Sequence, residues 1–200
     1  AGISILSGNS NEGAIYFGDD GDDDIGRVRY THSSNSMDFI VNTAVSLKID
    51  SSGAITKPLQ PAVHAYSSSA QNDIANGIVT IQLDAEVYDV NADFNTSNYT
   101  FTAPVTGKYL VSSNVDLTDI DTATQWLYGA LIVTSNRNYY ASLIDPRNLN
   151  SDSNQSFSSS TLVDMDANDT LVLKVRSSAH GAAQMNVTTV ETYMTIVLSC

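Results

Sequence analysis

Alternating apolar and polar residues along much of the chain predict β-strands. The clearest alternation runs from Lys108 to Leu117, where every second side chain, beginning with Tyr109, points to one side of the strand. The segments Ser156 to Met165 and Thr170 to Arg176 alternate in the same way. Serine, threonine, asparagine and aspartate are abundant whereas lysine and glutamate are scarce, which disfavours long helices and favours strands joined by polar turns. The chain is therefore predicted to be all-β.

A strand, a tight turn and a second strand are predicted between Phe101 and Leu117. The first strand ends at Pro104, because proline cannot donate to a sheet ladder, and Thr106-Gly107 supplies the turn. Further along, the nearly continuous apolar run from Gln125 to Val133 (QWLYGALIV) predicts a strand that is buried on both faces. The chain is long enough for these strands to enclose a sizeable core.

The N-terminal quarter carries short segments with strand-like patterns, separated by turns rich in glycine, serine, asparagine and aspartate. They are Ile15 to Phe17, Arg27 to Thr31, Met37 to Val41 and Val45 to Ile49. Strands this short are not stable alone, so we expect a β-meander, built of hairpins, that obtains its core from neighbouring segments or from copies of itself. The two prolines between Lys57 and Pro61 predict an extended connector, which places a β-hairpin stem module at residues 1–57 and a head at residues 58–200.

The formal net charge of −13 limits the possible partners. The lysine and arginine residues are scattered and form no basic stripe, so nucleic acid is not expected as a partner. The same charge would repel anionic membrane surfaces, and no apolar run is long enough for a transmembrane helix. Residues 1–20 show neither the charged region nor the apolar region of a signal peptide. We therefore expect no membrane insertion.

The most polar segment of the chain is an aspartate-rich turn. Its acidic residues are Asp19, Asp20, Asp22, Asp23 and Asp24. Calcium prefers several oxygen ligands, and closely spaced carboxylates can supply them, so a calcium site is one interpretation. The spacing differs from that of the EF-hand calcium loop, and a solvated turn explains the same composition. Both interpretations stay open, and they apply equally to a second group formed by Asp164, Asp166 and Asp169.

No arrangement typical of a catalytic site is visible. His32, His64 and His180 have no carboxylate or cysteine at metal-ligand spacing, and no nucleophile elbow, phosphate-binding loop or dinucleotide fingerprint occurs. The protein is therefore predicted not to be an enzyme. Calcium at the aspartate groups is the one cofactor that the sequence suggests. Cys200 is the only cysteine, which excludes an intrachain disulfide and leaves a free thiol or an interchain bridge.

Aromatic residues in the second half of the chain are candidates for ligand contacts. Trp126 and Tyr128 share one side of an apolar strand, which favours positions in the core. Tyr139 and Tyr140 are adjacent and point in opposite directions in a strand, so both cannot be core residues. We expect one of them to contact a neighbouring protomer or a ligand, which makes Tyr139 and Tyr140 the predicted receptor-binding residues.

The segment Tyr99 to Ser112 (YTFTAPVTGKYLVS) resembles the signature of the globular head of complement subcomponent q and its tumour-necrosis-factor-like relatives. Pro61 to Tyr66 resembles the first strand of that head, and Leu162 to Val175 resembles a late turn in which Asn168 stands where glycine is usual. Asparagine tolerates the left-handed conformation that such a turn requires. The resemblance covers residues 61–198 and implies a jelly-roll β-sandwich of about ten strands that assembles as a homotrimer.

Residues 13–55 resemble a module common in bacteriophage fibre proteins, with the segments AIYFGD, IGRVRY, NSMDF and SLKIDSSGAI in the same order. Together, the two resemblances imply a non-enzymatic protein on the virion surface, a tail-fibre or appendage tip that binds a host-surface glycan or protein as a trimer. Residues 1–57 would attach it to other virion proteins. A trimer presents identical loop sets, so weak contacts add through avidity. The alternatives are a capsid decoration or head-fibre protein, and a secreted complement-q-like binding or lectin-like head.

Overall fold

The computed structural model describes residues 1–149, 153–178, 185–189 and 191–199. The chain divides into two compact units, Ala1–Gln60 and Pro61–Cys200. His180 and Cys200, which the sequence analysis singles out, lie outside the described residues. Within the described ranges the only helical segment is the 3-10 turn Pro146–Asn148, which is far too short to reach across a bilayer.

The N-terminal unit is a single antiparallel sheet in which strands that follow one another in sequence are neighbours in space. Its strands are β1 (Glu12–Phe17), β2 (Gly26–Thr31), β3 (Ser36–Val41), β4 (Ala44–Ile49) and β5 (Ile55–Thr56). The β3–β4 hairpin turns at Asn42 and Thr43, whose positive φ angles of 50° and 64° suit a two-residue turn that follows the twist of the strands. The short segments predicted to be strands thus form a β-meander.

The two faces of this sheet differ in chemistry. One face carries a charged row formed by Arg29, Asp38 and Lys48, in which Asp38 is only 2% exposed. The opposite face is apolar, and several of its side chains are between 37% and 63% exposed. We call this surface the apolar stem face; its exposed members are Ile15, Phe17, Met37, Phe39, Val41 and Ile55. A sheet with one apolar face is typical of a layer that packs against a second layer.

The C-terminal unit is a sandwich of two antiparallel sheets. Its strands are β6 (Ala62–Tyr66), β7 (Gly77–Thr80), β8 (Ala85–Asp89), β9 (Phe94–Asn95), β10 (Thr100–Thr102), β11 (Gly107–Ile120), β12 (Leu127–Thr134), β13 (Asn138–Ile144), β14 (Ser153–Met165), β15 (Thr170–Ser177), β16 (Asn186–Val187) and β17 (Tyr193–Leu198). The β12 sheet has the order β13-β12-β15-β10-β9, with β7 paired to β15. The β11 sheet has the order β14-β11-β17-β6-β8, with β16 paired to β11. Most neighbours are not consecutive in sequence, as is typical of a jelly roll.

The core of this unit lies between the two sheets. On β11 the side chains of Tyr109, Val111 and Val115 are fully buried, which confirms the alternation predicted from the sequence. The two sheets approach closely where Gly129 of β12 meets Phe157 of β14, because a Cβ atom at Gly129 would lie only 1.9 Å from ring carbon Cγ of Phe157. Glycine at this position therefore lets the aromatic ring fill the space between the sheets.

The predicted strand, turn and strand between Phe101 and Leu117 are confirmed as β10, a turn and β11. Because β10 belongs to the β12 sheet and β11 to the β11 sheet, the turn carries the chain from one layer to the other. A second turn supports this corner: Asn168, with φ of 73°, donates its backbone N–H to the carbonyl of Ala103 at 2.7 Å. Asparagine thus takes the left-handed position in that turn, as predicted.

Candidate binding site

The outward face of the β12 sheet carries a cluster of rings around one cation. We call it the aromatic cluster; its members are Trp126, Tyr128, Tyr140 and Arg176. Strand pairing creates it, because Tyr128 on β12 lies opposite Arg176 on β15, and β13 brings Tyr140 to the other side of β12. Trp126 precedes β12, and its backbone makes two hydrogen bonds with Ser178: its N–H donates to the Ser178 hydroxyl at 3.2 Å, and its carbonyl accepts from the Ser178 backbone N–H at 3.1 Å.

The members of the aromatic cluster contact one another directly. The ring centroids of Trp126 and Tyr128 are 5.8 Å apart, and those of Tyr128 and Tyr140 are 5.0 Å apart. The guanidinium carbon of Arg176 lies 5.0 Å from the ring centroid of Trp126 and 6.0 Å from that of Tyr140. In addition, Nη1 of Arg176 donates to the hydroxyl of Tyr140 at 3.4 Å. A cation over ring faces is attracted by their π electrons, so these contacts hold the arginine in place.

The predicted receptor-binding residues Tyr139 and Tyr140 point in opposite directions. Tyr139 packs against the core, whereas Tyr140 is 47% exposed. Both line a cleft of about 330 Å³ at the edge of the sandwich, where β13 approaches Ser159, Ser160 and Thr161 of β14. Tyr140 therefore takes part both in this cleft and in the aromatic cluster, and the binding role of the pair stays a prediction.

The prediction that Trp126 and Tyr128 belong to the core is wrong. Both are only half-buried and stand outside the set of side chains packed between the sheets. The reason is a register shift in β12 between Tyr128 and Leu131. Before the shift the odd-numbered Leu127 faces the core, and after it the even-numbered Ile132 does so. A single alternation applied to the whole apolar run therefore places the two rings on the wrong side.

Arg176 is a site residue that the sequence analysis misses. Its position in β15 places it on the face away from the core, together with Lys174, since Leu173 and Val175, which alternate with them along the strand, are buried. That alternation is visible in the sequence and could have identified both cations as surface residues. The sequence does not show that β12 and β13 lie beside them, because those strands are distant along the chain.

The outward face of the β11 sheet carries an apolar row that crosses three strands. Leu162 on β14 lies opposite Leu110 on β11, which in turn lies opposite Val197 on β17. These side chains are 51%, 45% and 36% exposed, respectively. At one side of this apolar row, Lys108 and Asp164 form an ion pair of 2.7 Å, which lowers the pKa of the Asp164 carboxyl.

Both described histidines make contacts with tyrosine rings. His64, on the outward face of the β11 sheet, stacks on Tyr193 with 5.3 Å between ring centroids, and its Nδ1 lies 2.8 Å from the hydroxyl of Thr195. In the N-terminal unit, His32 meets the ring of Tyr30 edge-on at 5.0 Å. These contacts make them ordinary strand and surface histidines of a β protein.

The aspartate-rich turn brings only part of its predicted ligand set together. Oxygen atoms of Asp22, Asp23 and Asp24 lie within 4.8 Å of one another, whereas Asp19 and Asp20 do not join this group. The Asp19 carboxylate instead accepts two backbone N–H groups of its own turn at 2.8 and 2.9 Å, which lowers its pKa. Asp24 is paired with Arg27, so one of the charges is neutralised within the protein. Calcium at this turn stays a prediction.

The second group of aspartates does not converge. Among the described residues, Asp164, Asp166 and Asp169 form no cluster of oxygen atoms suited to a metal ion. Asp164 pairs with Lys108, and the carboxylate of Asp169 accepts the backbone N–H of Asp166 at 2.8 Å. These carboxylates stabilise the turn between β14 and β15.

No protein-family model and no curated protein matches this chain. Among solved structures, it is similar to the crystal structure of murine APRIL at pH 8.0, with 13% identity and a TM-score of 0.50, over 70% of this chain and 99% of that one. It is also similar to the globular domain of the zebrafish complement 1qA protein, with 14% identity and a TM-score of 0.50, over 70% of this chain and 98% of that one. At these identities the likeness shows the fold alone: the predicted all-β jelly-roll sandwich is confirmed.

Proposed function

We propose that this chain is a non-enzymatic virion protein, a phage tail-fibre or appendage tip whose head binds a host-surface receptor as a homotrimer. The observation that carries the proposal is the apolar row of Leu110, Leu162 and Val197, which lies exposed on the β11 sheet in a chain of net charge −13. Three copies arranged around a threefold axis bury this row in every protomer, and the removal of apolar surface from water then favours assembly.

The apolar stem face supports the same assembly. Phe17, Val41 and Ile55 on this face are 59%, 63% and 63% exposed, although the charged face of the same sheet buries Asp38. A single-layer sheet of this kind requires a second layer to cover its apolar side, and two further copies of the chain supply one. The resemblance of residues 13–55 to a fibre module supports the assignment of this unit to a virion stem that joins other virion proteins.

The native mass in solution tests the trimer. We expect a mass of three times 21.4 kDa for the wild-type chain by light scattering, and a monomer mass for the double variant Leu110→Asp/Leu162→Asp. The matched control is Leu143→Asp, which alters a leucine that is 57% exposed on the β12 sheet and leaves the trimer intact. Circular dichroism confirms that each variant is folded. A wild-type monomer at micromolar concentration contradicts the proposal.

Electron microscopy and adsorption assays test the role on the particle. An antibody against the head is expected to label the tail or appendage tips of purified phage particles, and the recombinant trimer is expected to reduce adsorption of the phage to its host. Labelling distributed over the capsid would contradict the tail assignment and favour a capsid decoration protein.

A further inference from the structure

We propose that the aromatic cluster of the head binds the carboxylate of an acidic saccharide, a sugar of the uronate or sialate class. This inference rests on the proposed receptor-binding function and names the chemistry of the receptor. It follows from the geometry of Arg176, from the charge around it and from the exposure of the neighbouring rings.

Arg176 is held in a defined orientation by its neighbours. Its guanidinium carbon lies 5.0 Å from the ring centroid of Trp126, and one of its N–H groups reaches the hydroxyl of Tyr140 at 3.4 Å. Trp126 is fixed in turn, because its backbone exchanges two hydrogen bonds with Ser178, two residues beyond Arg176. A stacked guanidinium keeps the remaining N–H groups at its edge available, and this planar fork matches the two oxygens of a carboxylate.

The charge around Arg176 favours an anionic ligand. All six ion pairs among the described residues involve cations other than Arg176 and Lys174, although the chain has 22 acidic residues and only nine basic ones. Lys174 lies on the same face of β15, two residues before Arg176. In the described part of the head, this face therefore offers two cations that no carboxylate neutralises, within a protein that otherwise repels anions.

The rings favour a saccharide over a simple carboxylic acid. Tyr140 is 47% exposed, and its ring centroid lies 5.0 Å from that of Tyr128. The two rings therefore form a continuous aromatic surface beside the guanidinium. A tyrosine ring combines an apolar face with a polar hydroxyl, which suits the C–H face and the hydroxyl groups of a sugar ring. Asn138, whose side-chain nitrogen is 3.5 Å from the Tyr140 hydroxyl, adds an amide at the edge of this aromatic surface. A shallow site of this kind gains strength when several copies act together.

Titration of the full-length protein with paired oligosaccharides tests the inference. The probes are oligogalacturonate and oligosialate, each compared with its own carboxyl-reduced form, which keeps the sugar rings but lacks the charge. We expect at least one acidic probe to bind the wild-type trimer, and its reduced form to bind roughly tenfold more weakly or worse, since a charge-assisted hydrogen bond is lost. Equal binding of acidic and reduced forms, or binding of neither acidic probe, overturns the inference.

Variants assign the binding to the aromatic cluster. Arg176→Gln and Tyr140→Ala are each expected to weaken binding of the acidic probe roughly tenfold or more, and Arg176→Lys to weaken it despite the retained charge, because lysine lacks the planar fork. The matched control is Lys108→Gln, which removes one positive charge from the outward face of the β11 sheet, on the opposite side of the sandwich, and leaves binding unchanged. An equal effect of the Arg176 and Lys108 variants overturns the assignment.

The native mass separates this inference from the proposed function. A wild-type trimer that adsorbs to host cells but ignores both acidic probes contradicts the saccharide inference alone. A wild-type monomer contradicts the trimeric head regardless of the saccharide result. Each variant is therefore compared with the wild type only after its native mass and thermal midpoint are shown to be unchanged.

Discussion

The hydroxyl of Tyr109 donates a hydrogen bond of 2.7 Å to the carbonyl oxygen of Val105. Val105 lies in the turn that carries the chain from β10 to β11, and Tyr109 is the third residue of β11. The Tyr109 ring is fully buried and meets Phe101 of β10 edge-on at 5.5 Å. The side chain of Tyr109 thus contacts both the turn and the strand before it. Burial of this side chain raises the pKa of its phenol.

Tyr109→Phe is expected to destabilise the head by about 1 kcal/mol, because the substitution removes the hydrogen bond to Val105 while the ring keeps its packing. Tyr109→Ala is expected to cost about 3–5 kcal/mol, since it also leaves a cavity in the core. Denaturant unfolding followed by fluorescence measures both changes. Tyr16→Phe, at a tyrosine that is 51% exposed, is the control and should have little effect. Equal stability of Tyr109→Phe and the wild type would contradict the role of the bond.

Much of the head could be predicted because its signals are local. The alternation from Lys108 to Leu117 identifies the buried side of β11, since strand residues alternate between the two faces. Asn168 could be placed in a turn with positive φ because asparagine is one of the few residues that tolerate it. Pro104 marks the end of β10 for an equally local reason, the missing backbone N–H.

The aromatic cluster could not be predicted because it depends on contacts between distant segments. Trp126 and Ser178, which hydrogen-bond to each other, are separated by 52 positions. The register shift after Tyr128 changes which alternate residues of β12 face the core. A nearly continuous apolar run contains no local signal for such a shift. The burial of Asp38 in the N-terminal unit is also non-local, because it follows from the basic side chains that two neighbouring strands place beside it.

Gly129→Ala is expected to destabilise the head by about 1–3 kcal/mol, the usual cost of overpacking a core. The new methyl group would overlap the ring of Phe157, whose carbon Cγ lies 1.9 Å from the ideal Cβ position. If this overlap is the cause, the double variant Gly129→Ala/Phe157→Leu is less destabilised than the sum of the two single variants. Denaturant midpoints of the wild type, the two single variants and the double variant give the coupling energy between the two substitutions. If the effects of the two single variants simply add, the clash with the Phe157 ring is relieved elsewhere in the head.

Asp93→Asn is expected to stabilise the head at neutral pH. Burial, followed by the charge of Asp89, raises the pKa of the Asp93 carboxyl, and its buried Oδ2 has no hydrogen-bond partner among the described residues. A raised pKa means that the folded state binds the proton more tightly than the unfolded state, so stability falls as the pH rises through the folded-state pKa. The charged group therefore weakens the fold at neutral pH.

The pH dependence checks this assignment for Asp93. The gain in thermal midpoint from Asp93→Asn should be present at neutral pH, should shrink as the pH falls through the raised pKa of Asp93, and should vanish below about 3.9, the ordinary aspartate value, because both states are then protonated. The control Asp89→Asn should destabilise the head instead, since the Asp89 carboxylate accepts the backbone N–H groups of Asp93 and Phe94 at 3.0 and 2.8 Å. A gain from Asp93→Asn that does not depend on pH would refute the electrostatic explanation.

Arg29→Met is expected to destabilise the N-terminal unit by about 3–5 kcal/mol, because it leaves the Asp38 carboxylate buried without its main partner. Asp38 is 2% exposed and accepts from Nη2 of Arg29 at 2.8 Å and from Nε at 3.2 Å, and this carboxylate in turn raises the pKa of the Arg29 guanidinium. Lys48→Met should cost no more than about 1 kcal/mol, since its ammonium lies 4.0 Å away on a partly exposed side chain.

The double variant Arg29→Met/Asp38→Leu distinguishes a lost interaction from an uncompensated charge. Removing both partners leaves no buried charge unpaired, since Glu12 and Lys48, which also pair with them, are partly exposed, so its stability should return close to that of the wild type. Hydrogen exchange of peptides from β2, β3 and β4, measured by mass spectrometry, reports on the N-terminal unit separately from the head. Protection in these peptides should fall in Arg29→Met and recover in the double variant. If the double variant is as unprotected as Arg29→Met, the cost comes from lost packing of the arginine stem rather than from the buried carboxylate.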